Sequence, residues 1–398
     1  MSLMGISVSF IPLVTKENLE YLMSKNKFLG QLQDVGQSIW YDNVSRSLLE
    51  SGELKKLVDA GITGLTSNPT IFDNAVSGSS DYDQTIQNLF AQGLGASDIL
   101  EQIMVEDISH AADLLLPVFE SSSGLDGYAS LEVSPLLASD TASTVAEARR
   151  LWKKLSKPNV MIKVPATKEG IPAIEQLIAD GININVTLIF SVERYQEVVQ
   201  AYIKGLQARN EKGLSLDTVR SVASFFISRV DALYEKKHAA LIEAGSSQST
   251  ALQSELLGKV GIANSKLAYE YFESSFYGDS FAALAKAGAH VQRPLWASTG
   301  TKNPDFSPVL YVEELIGKDT VNTLPPKTLD HLMGGITVEP RVETGFDEAK
   351  NVLSKLESIP LHLAEILSEL ESAGVASFSK SYESALSSIE QKRSALCA

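Results

Sequence analysis

A single cysteine, Cys397, sits next to the last residue of this 398-residue chain, so no internal disulfide can brace the fold. That usage fits a reducing compartment. Long hydrophobic runs are missing too, because the apolar stretches are short and interrupted, and this excludes a membrane-spanning helix. Positive charge is scarce: 34 basic residues face 49 acidic ones, for a net charge of −15. A balance of that sign argues against nucleic acid and anionic membrane surfaces as partners, since both require clustered cations. It also denies an anionic small molecule any steering by the overall field. A phosphate site must be built locally, from a few Arg or Lys side chains and backbone amides. Internal repeats and low-complexity segments are absent. The stretch up to Thr15 shows neither signal-peptide nor Arg-rich transit-peptide patterning.

What is present is alternation. Short apolar or β-branched runs occur at residues 38–41, 62–66, 128–133, 160–164, 183–190, 222–227, 293–298 and, more weakly, 321–324. Between them lie amphipathic stretches at 47–60, 145–155, 172–179, 192–206 and 255–276. Strand–helix alternation of this kind predicts a parallel sheet covered by helices, and about eight units favour an α/β (β/α)8 TIM barrel over an open sheet. The long gaps at 72–125 and 231–290 read as helical insertions rather than separate domains, because neither has a linker-like boundary. From Val338 onward the spacing is again helical, at 346–356 and 361–370, and the segment 373–392 reads as an amphipathic helix packed over the barrel. A single elaborated barrel spanning 1–398 is the economical reading.

One residue stands out against that background. Lys163 lies inside VMIKVP (160–165), a run with the character of a fully buried parallel strand. An ammonium there is costly to desolvate, so it either snorkels into water or is used chemically. Desolvation lowers a lysine's pKa and frees its amine to attack a carbonyl. Lys163 alone does not decide between the two.

Other strand ends carry polar residues that a core would not select: Asp42, Asn68, Glu132, Asn185, Thr187, Ser224, Arg229 and Ser298. Each has a plain alternative. Asp42 has the type and place of a helix N-cap, and Asn68 before Pro69 fits a turn. Thr187 is ordinary in a strand. Arg229 beside Asp231 fits a surface ion pair. Glu132, between Leu131 and Val133, is harder to dismiss, because a carboxylate on a buried strand needs a partner. Catalytic residues of a barrel gather at the carboxyl ends of its strands, so these positions converge on one rim.

Taken in order, the segments QSIWYDN (37–43), GLTSNPTIF (64–72), SLEVSP (130–135), MIKVPAT (161–167), INVTLIFS (184–191) and RPLWASTG (293–300) resemble the transaldolases, of the longer plant, cyanobacterial and actinobacterial type. The resemblance runs from about Gly36 to the C-terminal helices. It implies a metal-free transferase without cofactors that acts on sugar phosphates in the non-oxidative pentose phosphate pathway. By the motif match, Lys163 forms the Schiff base, Asp42 handles the C4-hydroxyl proton, and Glu132 works through a water placed with help from Thr187. Asn68, Asn185 and Ser224 match positions that hold the dihydroxyacetone hydroxyls. Arg229 and Ser298 match phosphate ligands. The shorter transaldolases carry an arginine shortly after that serine, and here the nearest basic residue is Lys302, with Arg293 as an alternative. A monomer or homodimer in the cytoplasm or plastid stroma is expected. Two other readings stand beside this one: a Schiff-base aldolase that releases its three-carbon unit, and a non-catalytic phosphosugar-binding scaffold.

Overall fold

The computed structural model describes residues 25–396; Cys397 and the stretch up to Thr15 lie outside the described residues. Eight parallel strands close into a barrel in sequence order, with β8 returning to pair with β1. They are β1 (Gln37–Tyr41), β2 (Gly64–Thr66), β3 (Tyr128–Glu132), β4 (Val160–Pro165), β5 (Ile184–Ile189), β6 (Ser221–Phe226), β7 (Arg293–Ala297) and β8 (Thr320–Leu324). Every residue of every strand is buried, as expected when helices cover the outside and side chains fill the inside.

Alternation divides the strand residues between two cores. Ile39, Leu65, Leu131, Ile162, Val186, Phe225 and Trp296 pack outward into the layer shared with the surrounding helices. Trp40, Tyr128, Met161, Val222, Leu295 and Val321 form a second cluster that plugs the barrel interior. That cluster extends to Ile366, Leu370 and Phe378, three residues of the C-terminal helix.

Two expected helices are broken. The stretch 47–60 is split into Arg46–Glu50 and Glu53–Ala60, and 255–276 into Ser247–Leu256 and Val260–Phe276. Gly52 and Gly258 sit at the breaks with φ of 79° and 68°, a left-handed conformation that side-chain-bearing residues rarely adopt. Between β2 and β3 run the helices Pro69–Gly78, Asp83–Ala91 and Ala96–Ser121. The tail is more regular than its sequence: residues Leu363–Leu396 form one helix of 34 residues. At 1.5 Å per residue it is about 50 Å long, enough to cross a barrel mouth.

Candidate active site

The polar residues at the strand ends do meet. A pocket of about 190 Å³ at the carboxyl end of the barrel is lined by Asp42, Asn68, Lys163, Thr187, Ser224, Arg229, Ser298 and Lys302. Thr66, Phe226, Thr323 and Phe378 also line it. Register explains the centre of the arrangement. Glu132 on β3 pairs with Lys163 on β4, which pairs with Asn185 on β5, so the three side chains share the interior face.

Lys163 is nearly sequestered, and its Nζ donates to the Ser67 carbonyl at 2.8 Å. It stands 3.2 Å from Glu132 Oε2. That distance makes an ion pair, no other described residue bonds Oε2, and the buried Thr187 Oγ1 has no hydrogen-bond partner among the described residues. Burial raises the pKa of Glu132, the Lys163 charge opposes this, and nearby Asp42 adds to it. A small cavity of about 10 Å³, lined by Glu132, Ser67, Asn68 and Tyr382, adjoins the site. Its volume is close to the least that admits one water molecule.

Asp42 is not a helix cap. The following helix starts at Arg46 and is capped by Ser45 Oγ, while Asp42 Oδ1 accepts from Thr66 Oγ1 at 2.7 Å. Its pKa is raised by burial against the lowering effects of Lys163 and the Thr66 hydrogen bond. Asn68 does cap a helix, since its Oδ1 accepts from Ile71 N at 3.1 Å. This fixes the side chain at the pocket edge. Asn185 is fully buried beneath the pocket: its Nδ2 donates to Ser130 Oγ at 3.1 Å, and its Oδ1 accepts from Ser224 Oγ at 2.7 Å. It therefore orients Ser224.

Two backbone distortions frame the site. Leu188, directly after Thr187, has φ 58° where the β5–β6 register shifts, and Ser298 has φ 57° just beyond β7. Left-handed backbone at non-glycine residues costs about 1–3 kcal/mol and gathers at functional sites. Here the first re-aims the end of β5. The second brings Ser298 Oγ within 2.9 Å of Ser228 Oγ, at the start of the helix that carries Arg229.

Arg229 is not paired with Asp231. Asp231 points away, into the helical insertion, and accepts from Gly261 N and Tyr311 Oη at 2.8 Å each. The guanidinium of Arg229 lies over two rings, 5.2 Å from the centroid of Phe226 and 5.8 Å from that of Phe378. Burial lowers its pKa, and Asp42 and Glu132 counter that. Lys302 lines the pocket from an exposed loop. Arg293, the alternative phosphate ligand, is at the wrong end. It opens β7 and binds Ser38 Oγ at 2.5 Å, Asp126 Oδ1 at 3.3 Å and the Thr320 carbonyl on the barrel floor. Of the lining residues missed in the sequence, Thr66 was disguised as an ordinary strand threonine. Phe226 and Phe378 were disguised as core.

Comparison with known proteins places this site in a family. The Transaldolase/Fructose-6-phosphate aldolase family pattern matches residues 39–389. Transaldolase 2 of Nostoc sp. is 45% identical over 370 residues, covering 92% of this chain and 97% of that protein. The transaldolase of Trichodesmium erythraeum is 43% identical over 368 residues, 92% of this chain and 97% of its own. That of Thermobifida fusca is 44% identical over 369 residues, 92% and 98% of the two chains. With a closed eight-strand barrel and a buried lysine facing carboxylates at its mouth, the chain belongs to the transaldolase/fructose-6-phosphate aldolase family of enzymes.

Proposed function

We propose that the chain is a transaldolase that moves a dihydroxyacetone unit from sedoheptulose 7-phosphate to glyceraldehyde 3-phosphate, giving erythrose 4-phosphate and fructose 6-phosphate. The observation that carries this reading is Lys163, a buried amine that lines the pocket with Glu132 at 3.2 Å. Asp42, which lines the same pocket, provides a second carboxylate.

Attack on the ketose carbonyl needs a neutral amine, and Glu132 is placed to take the ammonium proton. The same carboxyl, with a pKa raised by burial, returns a proton to the carbinolamine hydroxyl. Water leaves and the iminium forms. Thr187 Oγ1, buried and without a partner, is free to hold the departing water. Asp42 takes the C4-hydroxyl proton, the C3–C4 bond breaks, and its electron pair passes into the iminium to give an enamine. The aldose leaves. The enamine adds to the incoming aldehyde, Asp42 returns the proton to the new hydroxyl, and water hydrolyses the regenerated iminium to release the ketose from Lys163. Ser224 and Asn68 hold the retained hydroxyls, and Arg229, Ser298 and Lys302 hold the phosphate.

The relatives are bacterial transaldolases, and among the described residues no helix is long and apolar enough to cross a membrane. These facts support a cytoplasmic compartment as our reading, with the plastid stroma as the other.

Borohydride reduction in the presence of fructose 6-phosphate should attach one dihydroxyacetone or sugar unit to the peptide containing Lys163. A label on Lys168 instead rejects this mechanism, and a label on no peptide rejects it in favour of a non-catalytic scaffold. Incubation with fructose 6-phosphate alone separates transfer from simple aldol cleavage. Multiple turnovers of free dihydroxyacetone without an acceptor would identify an aldolase.

A further inference from the structure

The C-terminal helix presents one face to the barrel mouth. Gly374, Phe378 and Tyr382 are spaced four residues apart, so they stack along one side of the helix. A Cβ on Gly374 would lie 3.1 Å from the Leu188 side chain, a tight contact, so glycine eases the close approach of the helix to the end of β5. Phe378 walls the substrate pocket, and Tyr382 lines the small cavity beside Glu132. Polar ties hold the helix in place. Ser381 Oγ meets Thr70 Oγ1 at 2.8 Å, Glu371 pairs with Arg194 at 3.3 Å, and Glu369 pairs with Lys237 at 2.7 Å.

Phe378 is 3% exposed, and the Arg229 guanidinium lies over its ring at 5.8 Å as well as over that of Phe226 at 5.2 Å. A guanidinium free on one face can turn toward Asp42 and Glu132, the carboxylates nearest in charge. Held by contact with both rings, it keeps its donors for an incoming anion, and the rings favour the cation without consuming a hydrogen bond.

We propose that Phe378 is a positioning and specificity residue: by stacking on Arg229 it aims the guanidinium at the substrate phosphate, so the tail helix sets the preference for phosphorylated over unphosphorylated sugars. This rests on the transaldolase reading of the pocket and adds to it a role for a residue nearly 150 positions away in the chain from Arg229.

The test compares Phe378→Leu and Phe378→Tyr, with fructose 6-phosphate and fructose as alternative donors and erythrose 4-phosphate as acceptor. Loss of one stacked face should raise KM for fructose 6-phosphate roughly 3- to 30-fold in the leucine variant. Its kcat should change far less, and the preference for the phosphorylated donor should narrow by the same factor. The tyrosine variant, which keeps the ring, should restore the KM. A merely structural role predicts something else: equal losses on both donors, or losses that tyrosine does not repair. Either result overturns the proposal, as does an unchanged KM in Phe378→Leu. Borohydride trapping on Lys163 in the wild-type enzyme is the control. Its failure would reject the catalytic reading, whereas success with an unmoved donor preference rejects only the role of Phe378.

Discussion

The barrel carries a buried cation–carboxylate pair at each end, and the two are nearly matched in geometry. At the mouth Lys163 and Glu132 stand 3.2 Å apart, with side chains 6% and 5% exposed. On the floor Arg293 and Asp126 stand 3.3 Å apart, at 6% and 9%. What differs is how the carboxylate is satisfied. Asp126 Oδ1 accepts from Trp40 Nε1 at 2.9 Å as well as from Arg293, and Oδ2 accepts from Ser38 Oγ at 2.5 Å. Glu132 Oε2 has only Lys163 beside it among the described residues, at 3.2 Å. The floor carboxylate takes three donors, which tie β1, β7 and the β3 approach together. Its counterpart at the mouth is left with unused capacity beside a pocket, which is what a proton-transfer site requires. Distance and burial alone do not separate structure from chemistry. The count of donors does.

The largest effect should come from removing each cation in turn. Lys163→Met should abolish transfer, by on the order of 10⁴-fold or more, because the covalent step has no substitute. It should leave the fold intact, since Glu132 can protonate once its partner is gone. Arg293→Met should do the reverse. It strands Asp126 in the floor and should cost about 3–5 kcal/mol of stability, while purified folded enzyme keeps most of its kcat. Denaturant unfolding of both variants beside transfer assays decides the matter. Comparable destabilisation by the two would erase the distinction between mouth and floor.

A second prediction sharpens the mouth side through pH. Burial raises the pKa of Glu132 in the folded state above its unfolded value, so the folded protein retains the proton to higher pH. The associated stability is fully present below the unfolded pKa, near 4.3, and is lost as pH rises through the folded pKa. Glu132→Gln cannot ionise. Its stability relative to wild type should therefore climb as pH is raised from 4 to 8, by at most about 1.4 kcal/mol per unit. Denaturant midpoints across that range read it directly. Parallel curves would mean that Glu132 ionises as readily in the fold as in water.

Much of this was written in the sequence, and for physical reasons. A strand buried on both faces must be apolar along its length, so all eight strands announced themselves, within a residue or two at their ends. Polar residues inside such runs are costly, which exposed Lys163 and Glu132 as unusual. Arg293 misled only by proximity to Ser298. As the first residue of β7 it belongs to the floor by register, since catalytic loops follow the last residue of a strand. Phe378 left no such trace. An apolar residue on an amphipathic helix reads as core, and nothing local to it indicates that its partner is Arg229. The Asp42 pairing with Thr66 was likewise hidden, because threonine is unremarkable in any strand.

The smallest effect separates two cations that both line the pocket and that we propose hold the substrate phosphate. Arg229 is half-buried and lies over the rings of Phe226 and Phe378, whereas Lys302 reaches in from an exposed loop. A desolvated, pre-oriented guanidinium makes charge-assisted bonds worth about 1.5–3 kcal/mol, so Arg229→Ala should raise KM for fructose 6-phosphate roughly 10- to 150-fold. An exposed ammonium spends part of its attraction on side-chain ordering and is screened by salt. Lys302→Ala should therefore raise KM only about 1.5- to 5-fold. Ionic strength distinguishes the two contributions further. At 1 M salt, where the screening length falls to about 3 Å, the Lys302 effect should vanish while most of the Arg229 effect survives. A salt-insensitive Lys302 effect as large as that of Arg229 would place the lysine inside the closed pocket when substrate is bound. The loop carrying it would then count with the tail helix as part of the roof.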